Sequence, residues 1–156
     1  MEILSTRKRP LSILILTLIG VLLGSCSLEG IWLQPRNNPS DLTYPPEVVQ
    51  VYADSLENPL ETDETVPSLD TALLIEFSVA MAKAVTAENV RILKKETREE
   101  VTPDTVTWTE DYLLRIDPDP QWEADTEYTL VVADRVQSAA EKTMVSTYTT
   151  YYFTPE

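Results

Sequence analysis

The stretch YLLRIDPDPQWEADTEYTLVV, residues 112–132, decides how the rest of the chain is read. It opens and closes on β-patterned runs, YLLRI (112–116) and TEYTLVV (126–132), and the segment between them is rich in proline and acid. Alternation over five to seven residues, bounded by turn formers, predicts strands with one buried face. Within it, Trp122, Ala124, Thr126 and Tyr128 stand two residues apart. That is the spacing of a tyrosine corner: a bulky plug closes one end of a sandwich, and six residues later a tyrosine enters its strand. The phenol ring is then buried while its hydroxyl bonds to upstream backbone. The same Trp122 also suits an exposed sugar-stacking role; the spacing favours the core plug.

Outward from this stretch the chain repeats the pattern. EVVQVY (47–52) places Val49 and Val51 on one face, and TALLIEF (71–77) sets Leu73, Ile75 and Phe77 against Ala72, Leu74 and Glu76. NVRILK (89–94) sets Val90 and Ile92 against Arg91 and Leu93. DTVTWT (104–109) precedes YLLRI with Glu110-Asp111 as the expected hairpin link, and YTTYYFT (148–154) closes the series. About seven strands with polar turns between them predict an all-β, antiparallel sandwich. Helical periodicity is not sustained anywhere in this region. Single turns are expected at Thr86-Ala87-Glu88 and at 138–142, each opening on a capping hydroxyl. KKETREE (94–100) reads as a solvated hairpin loop.

The segment from Pro46 to Pro155 resembles the bacterial Ig-like domains of the S-layer protein SbsA type. The resemblance is carried by PEVVQVYADSLENPL, LLIEFSVAM with Phe77, Ser78 and Met81, TAENVRIL, the 112–132 stretch, and the closing YYFT. It implies an Ig-like sandwich over residues 46–156 and a core role for Phe77, Met81, Trp122, Tyr128 and Phe153. The chain departs from the family where the last turn usually has a glycine, for it reads Ser138-Ala139-Ala140-Glu141-Lys142 and has no glycine after Gly30. A non-glycine residue with positive φ costs about 1 kcal/mol, so a different turn shape is expected there.

The N-terminal region has another character. Arg7, Lys8 and Arg9 precede an aliphatic run over 11–23, too short at roughly 20 Å to span a bilayer. A basic flank, a short apolar run and small residues describe an export signal over residues 1–25. Leu23-Gly24-Ser25-Cys26 resembles the bacterial lipobox, which implies cleavage before Cys26 and lipidation of its sulfur. Acyl chains contribute about 0.8 kcal/mol per buried CH₂, enough for several to anchor a protein to a membrane. By resemblance, Ser27 following the cysteine implies an outer-membrane or cell-surface destination in a cell with two membranes. Residues 26–45, with Asn37, Asn38, Pro39, Pro45 and Pro46 in or beside them, read as a tether. Ile31, Trp32 and Leu33 interrupt it, suited either to packing on the domain or to a lipid interface.

Composition narrows the chemistry. The 156-residue chain carries 12 basic and 26 acidic residues, for a net charge of −14. Loss of residues 1–25 removes three positive charges and one negative, leaving −16. Such a surface repels nucleic-acid phosphates and anionic lipid headgroups, so nucleic acid is not an expected partner. The absence of histidine removes the commonest general base and transition-metal ligand. With no second cysteine, Cys26 has no intramolecular disulfide partner, nor a neighbour to activate it.

Two further candidates remain. Asp117 and Asp119, flanking Pro118 in one turn, are weak calcium ligands, since oxygen donors suit calcium but five or six must converge. Paired carboxylates also serve glycosidases, but a sandwich of this size is not expected to hold the cleft they need. Tyr148 and Tyr152 share one face of the last strand, and if Phe153 is core they face outward as a platform for protein or glycan. The expected function is therefore a non-catalytic, lipid-anchored envelope or surface module with a structural or adhesive role. The alternative is a ligand-binding module for glycan or calcium. No cofactor is implied, and with the last strand ending near Glu156 no second, catalytic domain is expected.

Overall fold

The computed structural model describes residues 39–40, 42–101, 105–118 and 121–156. Among these lie nine strands: β1 (Val48–Ala53), β2 (Glu64–Thr65), β3 (Leu73–Phe77), β4 (Val90–Lys94), β5 (Glu100–Val101), β6 (Thr105–Glu110), β7 (Leu113–Asp117), β8 (Glu127–Val132) and β9 (Tyr148–Phe153). One short helix, α1 (Lys83–Ala87), precedes β4. The strands form two sheets, ordered β1-β3-β7-β6 and β2-β9-β8-β4-β5. Every pairing is antiparallel except that of β2 with β9.

The core is built from the inward halves of these alternating strands. Val51, Leu73, Ile75, Phe77, Leu114 and Ile116 from the first sheet meet Ile92, Tyr128, Leu130, Val132 and Tyr152 from the second. Burying each such side chain contributes about 1.5–3 kcal/mol, so the sequence alternation alone commits both sheets to one shared interior. Leu74, on the other face of the central strand β3, is also buried. Its cross-strand neighbours are Tyr52 and Arg115.

The two strands beyond the expected seven are β2 and β5, each of two residues. Glu64-Thr65 has no β signature; it is held because Asp63 N–H donates to the Tyr151 carbonyl at 2.9 Å and Val66 N–H to that of Phe153 at 2.8 Å. β5 is the return arm of the charged 94–100 loop.

Three local expectations are corrected. The β6–β7 link is Asp111-Tyr112, one residue beyond Glu110-Asp111. The register shifts between Trp108 and Glu110, so a bulge takes up an extra residue and carries β6 one position further. Thr86 does not open a helical turn: α1 begins after Ala82, with no side-chain cap. Thr86 is instead buried near the helix end, where its hydroxyl donates to the Gln137 carbonyl at 3.4 Å.

The glycine-free turn is the third correction. It keeps a left-handed residue after all, Glu141 with φ 61°. Glu141 N–H donates to the Ser138 carbonyl at 2.9 Å, Ser138 N–H to that of Lys142 at 2.8 Å, and Lys142 N–H to the Ser138 hydroxyl at 3.2 Å. Net contributions of about 1 kcal/mol per bond offset the backbone strain. Ala139 N–H also donates to the Ala80 carbonyl at 2.8 Å, tying the turn to the chain just before α1.

Candidate functional site

Trp122 and Tyr128 sit where the spacing of the 112–132 stretch sets them. Trp122 is buried, and its indole N–H donates to the Thr71 carbonyl at 2.8 Å. Tyr128 is 1% exposed, and its hydroxyl accepts the Glu123 N–H, five residues upstream, at 3.0 Å. Burial pushes the Tyr128 hydroxyl's pKa up, while the bond from Glu123 pulls the other way. The two rings lie 5.3 Å apart, and with Trp122 buried it has no face for a sugar. Phe77 and Met81 are buried as well, with Phe77 6.0 Å from the half-buried Trp108 ring.

The closing strand reverses the expected faces. Tyr152 is 0% exposed, its ring stacked on Tyr128 at 5.6 Å and 19° and edge-on to Trp122 at 6.0 Å. Tyr148 is half-buried against the same core. Tyr148 and Tyr152 therefore form no outward platform, and Phe153 is not a core residue: it is half-buried on the opposite face. The physical reason is register. Tyr152 pairs with Tyr128 and Phe153 with Glu127, so the inward tyrosine of β8 draws Tyr152 inward with it. No alternation within YTTYYFT distinguishes its two faces, because both carry threonine and tyrosine. The tyrosine corner, together with the β8–β9 register, was the signal that could have done so.

Tyr152 leaves a mark in the core. Among the described residues its hydroxyl is the buried side-chain polar atom without a hydrogen-bond partner. Burial holds its pKa well above the ordinary value, with Tyr128 adding to the effect. On the outer face of the same sheet Tyr151 is half-buried, with the Lys95 ammonium 4.9 Å from its ring centroid. Lys95 also pairs with Glu127.

The acidic turn is engaged by its own chain. Arg115 Nε donates to both Asp117 carboxylate oxygens, at 2.8 and 3.1 Å, and its Nη2 reaches Oδ1 at 2.6 Å. This fork engages both Asp117 oxygens, and it raises the Arg115 pKa. Asp119 lies outside the described residues, as do Cys26, the rest of Leu23-Gly24-Ser25-Cys26, and Ile31, Trp32 and Leu33. Among the described residues no group of three or more acidic side chains is placed to hold a metal ion. No helix among them is long and apolar enough to cross a membrane.

The described residues also line surface hollows, two of which lie near the candidate residues. One, of about 260 Å³, lies between Pro39, Leu42, Ala80 and the Glu110-Asp111-Tyr112 corner. Asp111 there pairs with Lys83 at 2.8 Å. The other, of about 220 Å³, lies between Pro46, Val48, Met144 and Tyr148, beside the exposed Val145.

Comparison with solved structures supports the architecture. The N-terminal part of the bacterial S-layer protein SbsC is similar at 19% identity and a TM-score of 0.51, covering 72% of this chain and 24% of that one. An L,D-transpeptidase from Mycobacterium smegmatis is similar at 17% identity and a TM-score of 0.50, over 72% of this chain and 41% of that one. So is the MG0-NIE-MG1 part of native alpha-2-macroglobulin from Escherichia coli, at 10% identity and a TM-score of 0.52, over 79% and 35%. This chain thus spans less than half the length of each. No curated protein matches it in sequence. From residue 43 to residue 155 the sequence matches the bacterial Ig-like domain, and the chain belongs to that family.

Proposed function

We propose that the chain is a non-catalytic, extracytoplasmic module of the bacterial envelope, anchored by lipid at Cys26 and carried on a tether that gives way to the domain where Pro39 and Leu42 meet it. Its sandwich serves a structural or adhesive role toward another envelope or surface protein, or a glycan. The observation that carries this reading is a family sandwich over residues 43–155, akin to a domain of an S-layer protein. Asp111, beside Glu110 at one hollow, pairs with Lys83 at 2.8 Å. Of the residues named for the ligand-binding alternative, Tyr152 is interior, Tyr148 is half-buried and Asp117 pairs with Arg115, while Asp119 lies outside the described residues.

Intact mass of membrane-extracted protein tests the anchor. A chain beginning at Cys26 and carrying acyl groups is expected, and an unmodified chain beginning at Met1 overturns it. Cross-linking on intact cells tests the role. Adducts between the domain's exposed lysines and envelope components are expected, and a domain that cross-links to nothing refutes it.

A further inference from the structure

A sheet edge exposes a row of backbone donors and acceptors, and proteins blunt such edges with short strands, prolines, charges or covering loops. Three of the four edges here follow that rule. β2 and β5 are two residues long. β1 is covered by its own loop: Ala53 N–H donates to the Asn58 carbonyl at 2.9 Å, Leu60 N–H to that of Val51 at 2.8 Å, and Tyr52 bridges Pro59. The Gln50 side chain closes that edge further by donating to the Val51 and Leu60 carbonyls.

β6 is the exception. It is six residues long, TVTWTE, with no proline and no basic residue, and among the described residues it pairs with β7 alone. Five of its six residues are exposed. Its inward side is also incompletely covered, since Val106 is 37% exposed and Trp108 only half-buried at the lip of the sandwich. A strand added beside β6 would satisfy its free backbone groups and cover both side chains at once. The bulge before Glu110 limits the flat length to Thr105–Trp108, about the reach of one short extended segment.

We infer that the free edge of β6 is a docking site for an extended, basic segment of a partner protein, bound by strand addition. Charge selects this occupant. Glu110, the strand's single charged residue, has no ion-pair partner among the described residues, and the chain carries a net charge of −14. A second copy would bring an equal negative charge and, paired antiparallel, would set its Glu110-Asp111 end beside the Asp117 end of the first. A segment carrying lysine or arginine meets the opposite field. The inference rests on the adhesive reading, for which it supplies a surface and a class of partner.

The test is hydrogen exchange of the full chain with three synthetic probes: Lys-Thr-Val-Thr-Val-Thr-Lys, its counterpart with glutamate at both ends, and the basic peptide with its central threonine replaced by proline. The basic peptide is expected to slow exchange over 105–110 about tenfold, and the other two to leave it unchanged. Thr107→Lys with Thr109→Lys should abolish the slowing at unchanged Tm, whereas Thr107→Val, which keeps the backbone edge, should retain it. Slowing by the acidic peptide, persistence in the lysine variant, or no slowing at all overturns the inference. Slowing that depends on protein concentration without peptide makes a second copy the occupant, and overturns it equally. If cell-surface cross-links form but the basic peptide leaves exchange over 105–110 unchanged, this inference fails while the adhesive role stands.

Discussion

Two stacked tyrosines in one core should respond to loss of the hydroxyl with opposite signs. In Tyr152→Phe the deleted group is buried and unpartnered, whereas in Tyr128→Phe it is the acceptor of the Glu123 N–H at 3.0 Å. An unsatisfied buried hydroxyl costs about 1–3 kcal/mol. The void left by its oxygen, roughly 10–15 Å³ at about 24 cal/mol per Å³, returns only about 0.2–0.4 kcal/mol of that. Tyr152→Phe is therefore expected to stabilise the domain by about 1–2 kcal/mol, a rise in Tm of several degrees. Tyr128→Phe is expected to destabilise it by about 0.5–1.5 kcal/mol, the net worth of one hydrogen bond. Ring packing is a shared control, since the two rings stand 5.6 Å apart and nearly parallel, and neither substitution alters an aromatic face. Urea unfolding followed by tryptophan fluorescence reads both, with an unchanged m-value showing that the denatured state is not the source. A Tyr152→Phe variant less stable than the parent by about 0.5 kcal/mol or more, or a common sign for both variants, would refute the reasoning.

Alkaline pH should weaken the fold. Tyr52 is pushed up from 10.0 to about 12 by burial and by its 2.6 Å bond to Glu76, and Tyr128, Tyr148 and Tyr152 are raised by burial. Each phenol is protonated in both states below pH 10, so its contribution is intact there; above it the unfolded chain ionises first, and stability falls as pH rises through the folded values. Melting curves from pH 8 to about 12 should therefore show a declining Tm above pH 10, and a flat profile contradicts the assignment. At the glycine-free turn, Glu141→Val should cost about 1–2 kcal/mol because a β-branched residue tolerates φ 61° poorly, while Glu141→Gly should be neutral or slightly stabilising. Equal loss in both variants would locate the effect in the glutamate side chain and not in the backbone.

Most of the architecture was legible because it depends on local chemistry. Leu73, Ile75 and Phe77 alternate with residues of the opposite face, and Trp122 and Tyr128 stand at a spacing that dictates burial of one ring after the other. What escaped reading depended on partners distant in sequence. Glu64-Thr65 is a strand only because β9 lies beside it, and Glu141 takes its left-handed turn only because Ser138 and Lys142 close bonds around it.

The same division runs through the candidate sites. By itself the sequence determined the class of fold, the acidic balance of charge, the lack of imidazole chemistry, and the basic-apolar-small pattern that runs into Cys26, since each is a matter of composition or short-range spacing. Only the tertiary structure decided which face of YTTYYFT is interior, because a strand with threonine and tyrosine on both sides takes its orientation from the register of its neighbour. It likewise decided that Asp117 belongs to Arg115, and that β6 is the one long edge left open among the described strands. An edge is a property of sheet order, and sheet order is set by contacts no local pattern contains.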